Sequence, residues 1–157
     1  MKENKIIDSY NKYYTKRTSL HIYPVEFVVR TFLGSYPDLK LDRTTYSGSK
    51  ILDLGFGDGR NMPLLNNLGF NIYGLEISEE INKQASERLD FLGIKAELKV
   101  GSNNSIPYDN DFFDYLLACH ACYYINENTT FTDNLNEICR VLKTKGTFIC
   151  SVTMSDN

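Results

Sequence analysis

The stretch Ile51 to Asn61, ILDLGFGDGRN, limits what this chain can become more than any other part of it. An apolar run with strand character ends in an acid, and Gly55, Gly57 and Gly59 then fall at every second position. Glycine permits positive φ and leaves free the space a Cβ would fill, so a backbone of this kind can be approached closely. A helical pattern follows at once: RNMPLLNNLGF has Pro63 in its first turn and Gly69 as its stop. A strand, a glycine turn and the unpaired N–H groups of a helix start together make an anion-tolerant cradle of backbone.

The rest of the chain repeats that order. NIYGLE reads as a second strand, and Ser78 then caps a helix with Glu79 and Glu80 in its first turn. Ile81, Ala85, Leu89 and Leu92 give this helix one apolar face, and Gly93 ends it. KAELKV and FFDYLLA are the third and fourth strands. Phe131, Leu135, Ile138 and Leu142 stripe the next helix, and GTFICSV is the fifth strand. Residues 1–48 form a helical lead-in. It contains the tyrosine-rich DSYNKYYTKR and a segment opened by Pro24 that carries Phe27, Val28, Phe32 and Leu33. Strands alternating with helices predict an α/β fold, a parallel sheet with helices on both faces, over residues 49–157. At 157 residues the chain is expected to be a single domain overall.

Charge and composition narrow the partners. A net charge of −3 lacks the basic excess of a nucleic-acid binder. Lys2, Lys5, Lys12, Lys16 and Arg17 make the lead-in locally basic, which reads as a solvated helix or a contact for an anionic partner. No apolar run approaches the ~20 residues of a membrane span. Met1 is followed by charge rather than a signal core, so the protein is expected in the cytoplasm. Cys119 and Cys122 frame CHAC, but Cys139 and Cys150 supply no second pair at zinc-ligand spacing, so inert, reduced thiols and no metal are expected.

A parallel sheet takes ligands at the carboxyl ends of its strands. The glycine spacing here is G-x-G-x-G rather than the G-x-G-x-x-G of dinucleotide turns, and the P-loop pattern is absent. Asp53, two residues before the first glycine, is also atypical of a dinucleotide turn. Glu76 ends the second strand, where a carboxylate can accept from both hydroxyls of a ribose. A ribose-bearing ligand with a small anionic end fits these residues.

ILDLGFGDGRN resembles motif I of the class I S-adenosylmethionine-dependent methyltransferases, and IYGLEIS resembles their second-strand motif. VGSNNSIPYDNDFFDYLLACHACYYI and EICRVLKTKGTFICSV are similar to the stretches that follow, in the same order, over about Lys50 to Val152. The resemblance implies a Rossmann-like sheet of order 3-2-1-4-5, here without the family's strands 6 and 7, as in a C-terminally truncated chain. It implies S-adenosylmethionine as cofactor, with S-adenosylhomocysteine as product. Asp53, Gly55, Phe56 and Gly57 would hold the methionine end, Glu76 the ribose and Ile77 the adenine. Ser102 and Asn103 would lie at the adenine edge and Ala118 near the sulfonium. Ser102 stands where the family often has an acid, and Lys145 replaces the first glycine of a helix-ending pair. IPY at Ile106 to Tyr108 precedes the fourth strand and is therefore distinct from the Asn/Asp-Pro-Pro-Tyr motif, which follows it.

For a hydroxyl acceptor, His120 after the fourth strand is a candidate base. Tyr123 and Tyr124 either line the acceptor pocket or pack. Tyr10, Tyr13 and Tyr14 lie on a segment that in this family often covers the cofactor. The acceptor is expected to be a small molecule; the YPVEFVVR lead-in and the GRN extension look like those of small-molecule methyltransferases, including some acting on surface sugars. A cofactor-binding domain without turnover and a nicotinamide-binding domain are the alternatives, the latter disfavoured by glycine spacing. With no sixth and seventh strands, the apolar fifth strand would be left at the sheet edge, open to self-association.

Overall fold

The computed structural model describes residues 2–14, 16, 22–34 and 41–153. Thr15, Arg17 and Tyr36, all within the predicted helical lead-in, lie outside the described residues. The order of elements is α1 (Lys2–Tyr14), α2 (Glu26–Leu33), a short 3-10 turn at Arg43–Thr45, β1 (Lys50–Leu54), α3 (Met62–Asn67), β2 (Asn71–Glu76), α4 (Glu79–Phe91), β3 (Ala96–Val100), β4 (Phe113–Cys119), α5 (Phe131–Val141) and β5 (Leu142–Ser151). The five strands form one sheet of order β3-β2-β1-β4-β5. Every neighbouring pair is parallel. This is the predicted Rossmann-like arrangement.

Strand alternation sends side chains to two cores, one on each face of the sheet. On one face Ile51, Ile72, Tyr115, Leu117 and Ile149 pack with Val28 and Phe32 of α2, Met62 and Leu65 of α3, and Ala85 and Leu89 of α4. On the other, Leu52, Leu54, Leu75, Leu116 and Ala118 pack with Ile138 and Val141 of α5 and with Ile106 and Tyr108 of the β3–β4 connection. Ser78 caps α4 as its sequence predicts, accepting from the Ile81 N–H. Gly69 and Gly93, φ +86° and +68°, follow the ends of α3 and α4 in the left-handed conformation that ends helices.

Two boundaries differ from expectation. Pro24 stands just ahead of α2, whose cap is Val25. The Val25 N–H donates to Asn61 Oδ1 at 3.1 Å, which fastens the start of α2 to the glycine turn. The fifth strand begins at Leu142 rather than Gly146, and Leu142 leaves the helix whose apolar stripe it continues. Its N–H still bonds Ile138 O, but its backbone is already extended and it pairs with Phe113. Asp111 and Phe112 donate to the Arg140 and Val141 carbonyls, so the start of β4 ends the helix by taking its last acceptors. A register shift between Phe113 and Tyr115 then brings Tyr115 opposite Thr147.

Candidate functional site

The glycine turn leaves the carboxyl end of β1 with Gly55, Gly57 and Gly59 all at positive φ: +68°, +55° and +72°. An L-residue would be strained at each. The space beside two of them is taken by the protein itself. A Cβ on Gly55 would come within 2.5 Å of the Ala121 Cβ, and one on Gly57 would run into the Tyr14 ring. The turn is thus pressed between the segment after β4 and the last residue of α1.

Glu76, at the end of β2, reaches across to this turn. Its Oε2 accepts from the Gly57 N–H at 2.9 Å and its Oε1 from the Ile77 N–H at 2.8 Å. Burial raises its pKa and the two N–H donors pull the other way. Asp53 lies deeper, 1% exposed. Neither of its oxygens completes a hydrogen bond of normal geometry. Burial pushes its pKa up to about 7; the neighbouring Asn61 side chain offsets part of this, and the Glu76 and Asp58 carboxylates add to it. Asp58 is ion-paired with Arg60 at 2.5 Å, and Arg88 donates to the Asp58 carbonyl at 2.5 Å. The Tyr14 hydroxyl, buried near the Asp58 and Glu76 carboxylates, is pushed up to about 12.

A cavity of about 550 Å³ opens over the carboxyl ends of the strands. Of the predicted residues, Gly55, Glu76, Ile77, Ser102, Asn103 and His120 line it. Asp53, Phe56, Gly57 and Ala118 do not. Asp53 is buried beneath the turn, Gly57 is covered by Tyr14, and the Phe56 ring and Ala118 belong to the two cores. Tyr10, Tyr14 and Tyr124 line the cavity, whereas Tyr13 is half exposed and Tyr123 packs on the core of the α5 face. Leu75, Gly101, Ala121, Ile125, Asn126 and Glu127 also line it and carry no sequence expectation for the site, and Cys119, expected only as an inert thiol, lines it too. Cys119 and Ala121 flank the singled-out His120, but Ile125–Glu127 sit in a loop with no periodicity to read.

His120 holds a left-handed backbone, φ +53°. Its N–H donates to Ser151 O and Oγ, each at 3.1 Å. Its Nδ1 lies 3.5 Å from Thr153 Oγ1, which is 3.3 Å from the Tyr123 hydroxyl. The CHAC cysteines point to different neighbours. Ser151 Oγ donates to Cys119 Sγ at 3.7 Å, and the Cys122 thiol, buried beside Cys150, is pushed up to about 11. Among the described residues, no three His, Cys, Asp or Glu side chains cluster as metal ligands. No described helix is long and apolar enough to cross a membrane.

Residues 52–150 match the methyltransferase domain family. The chain is 32% identical over 112 residues to the ubiquinone/menaquinone biosynthesis C-methyltransferase UbiE of Rickettsia massiliae, covering 65% of this chain and 43% of that protein. It therefore spans less than half the length of the curated relatives it matches. Among solved structures, PH0226 from Pyrococcus horikoshii OT3 is 28% identical with a TM-score of 0.61, over 68% of this chain and 50% of that one. A putative sarcosine dimethylglycine methyltransferase from Galdieria sulphuraria is 26% identical with a TM-score of 0.62, over 69% and 41%. The order of the strands agrees with that match, and this chain belongs to the methyltransferase domain family, within the class I S-adenosylmethionine-dependent methyltransferases.

Proposed function

We propose that the chain binds S-adenosylmethionine over the glycine turn and presents it to an uncharged, hydroxyl-bearing small molecule. The observation that carries this reading is the bond from the Gly57 N–H to Glu76, which joins a positive-φ glycine turn to an acid at the end of β2. Each Glu76 oxygen accepts one N–H and keeps a further lone pair, enough for the two hydroxyls of a ribose. The backbone from Gly55 through Phe56 to Gly57 takes the methionine end. Asp53, buried beneath that turn, puts a carboxyl behind the backbone that meets the ammonium group. Ile77 packs on the adenine, with Ser102 and Asn103 at its edge and Ala118 beneath the sulfur. Within the lead-in, α1 acts as the cover, through Tyr10 and Tyr14.

The cavity lining supports a cationic cofactor: among the described residues it holds Glu76, Glu127 and three tyrosines but no lysine or arginine. Those described residues offer no lysine or arginine to a phosphorylated acceptor. When bound, the cofactor supplies a methyl group already activated by its sulfonium. His120 at the rim takes the proton that the acceptor hydroxyl gives up. The relatives' name specifies a C-methyltransferase. Deprotonating a hydroxyl on an aromatic ring activates both its oxygen and the ring carbon ortho to it, so on such an acceptor one base serves either position.

Titration calorimetry with S-adenosylhomocysteine and with NAD tests the cofactor, and transfer from labelled S-adenosylmethionine to a panel of phenols, quinols and sugars tests the acceptor. Saturable binding of S-adenosylhomocysteine alone is expected. Binding of NAD, or of neither, would overturn the reading; binding with no transfer to any hydroxyl compound would leave a cofactor-binding domain without turnover.

A further inference from the structure

Two loops face each other across the cavity, and asparagines join them. The connection after β3 contributes Ser102 and Asn103; the segment after β4 contributes His120, Ala121, Tyr124 and Asn126. Asn103 Nδ2 donates to Ala121 O at 2.8 Å and to Tyr124 O at 3.1 Å. Asn126 Nδ2 donates back to Asn104 Oδ1 at 3.1 Å. From α5, Asn134, fully buried, donates to Cys122 O at 3.0 Å and again to Tyr124 O at 2.7 Å. The Tyr124 carbonyl is thus gripped from both sides, and four side-chain N–H bonds hold the Ala121–Tyr124 backbone.

The orientation of Asn103 follows from its partners. Both are carbonyl oxygens, so the amide nitrogen must face them. Both N–H groups are then spent, and Oδ1 is what the side chain can offer a ligand. An amide whose oxygen accepts a hydrogen bond becomes a stronger donor at its nitrogen. A ligand N–H on Oδ1, such as the exocyclic amine of a purine, therefore tightens the two bonds that hold the facing loop.

We propose that Asn103 is a positioning residue that couples the two halves of the cavity: ligand bound on the β3 side orders the rim formed by Ala121 to Ile125, which carries Tyr124 and adjoins His120. The acceptor pocket is then completed by the cofactor, and the acceptor binds second. This rests on the assignment of the cavity to S-adenosylmethionine.

Deuterium exchange with and without saturating S-adenosylhomocysteine tests it without need of an acceptor. In the parent, the ligand should slow exchange across Cys122 to Ile125 tenfold or more. Asn103→Ala should bind the ligand more weakly, and at saturating ligand the slowing at those amides should be reduced to under twofold. Asn134→Ala, altered outside the cavity, should raise the unliganded exchange of the same amides yet keep the slowing on binding. Equal slowing in the parent and Asn103→Ala would overturn the proposal. So would loss of all binding in Asn103→Ala, which would make Asn103 a plain contact residue. Failure of the parent itself to bind would instead sink the cofactor assignment, and calorimetry distinguishes the cases.

Discussion

The Gly57 N–H and the Glu76 carboxylate meet at 2.9 Å, nineteen positions apart in sequence. The bond is charge-assisted, and it fixes how far the glycine turn stands from the end of β2. Glu76→Gln keeps the shape and loses the charge, while Glu76→Ala loses both. The expected loss of S-adenosylhomocysteine affinity is about 1–3 kcal/mol for the alanine variant and less for glutamine. Calorimetry reads both; parent-like affinity in Glu76→Ala would place the ribose elsewhere.

Gly57 is constrained twice, by φ +55° and by the Tyr14 ring. Gly57→Val should abolish binding and destabilise the fold by roughly 2 kcal/mol or more, the backbone strain supplying about 1–2 of it. Tyr14→Ala removes the steric part and leaves the strain. In a double-mutant cycle monitored by urea unfolding, Gly57→Ala should therefore cost less in the Tyr14→Ala background. Strict additivity would show that the ring does not press on the turn.

Asp53 makes stability depend on pH. Its folded pKa, about 7, lies above its ordinary value of 3.8, so the folded state binds more protons than the unfolded state between those limits. The contribution of Asp53 to stability should fall as pH rises through roughly 4 to 7, by at most on the order of 4 kcal/mol, and level off above. Asp53→Asn removes the ionisation and should flatten this part of the profile, whatever its constant cost from burying an amide. Denaturant unfolding at pH 4.5, 6 and 8 decides it; parallel profiles for parent and variant would rule Asp53 out as the source.

Lys145 holds φ +69° just before Gly146, within β5, between the residues that pair with Phe113 and Tyr115 across the register shift. Glycine is the residue that adopts this conformation without strain. Lys145→Gly should relieve about 1–2 kcal/mol of strain, partly offset by the greater freedom of glycine in the unfolded chain, for a net gain of about 0.5–1 kcal/mol. Thermal unfolding should show a higher midpoint; a lower one would mean that the lysine side chain contributes more than its backbone costs.

The fold could be read from the sequence where a signal is local. The glycine turn, the Ser78 cap and the alternation of strands and helices depend on residues a few positions apart. The end of α5 could not, because Leu142 continues the apolar spacing of the helix, and what stops it is the distant start of β4. The candidate site divides the same way. Glu76 and Gly55 stand in motifs, whereas the contact of Tyr14 with Gly57 and the grip of Asn103 and Asn134 on Tyr124 join segments that no spacing relates. Phe56 and Ala118 were placed by position in a motif, and only the packed structure assigns their side chains to the cores.

The position of β1 between β2 and β4 bears on how the chain acquires its shape. Ile51 pairs with Ile72 on one side and with Tyr115 on the other. The first pairing closes a loop of about 20 residues and the second one of about 60, so the second has the larger entropy of closure to overcome. The segment from β1 through β3 is therefore expected to assemble early, with β4 and β5 docking onto its open edge afterwards. Substitutions at Ile72 should then slow refolding, while those at Leu116 should mainly hasten unfolding. The opposite pattern would mean that the longer closure comes first. On this order of events, the half carrying the glycine turn and Glu76 exists before the rim that faces it, and the cavity is the last part of the molecule to take form.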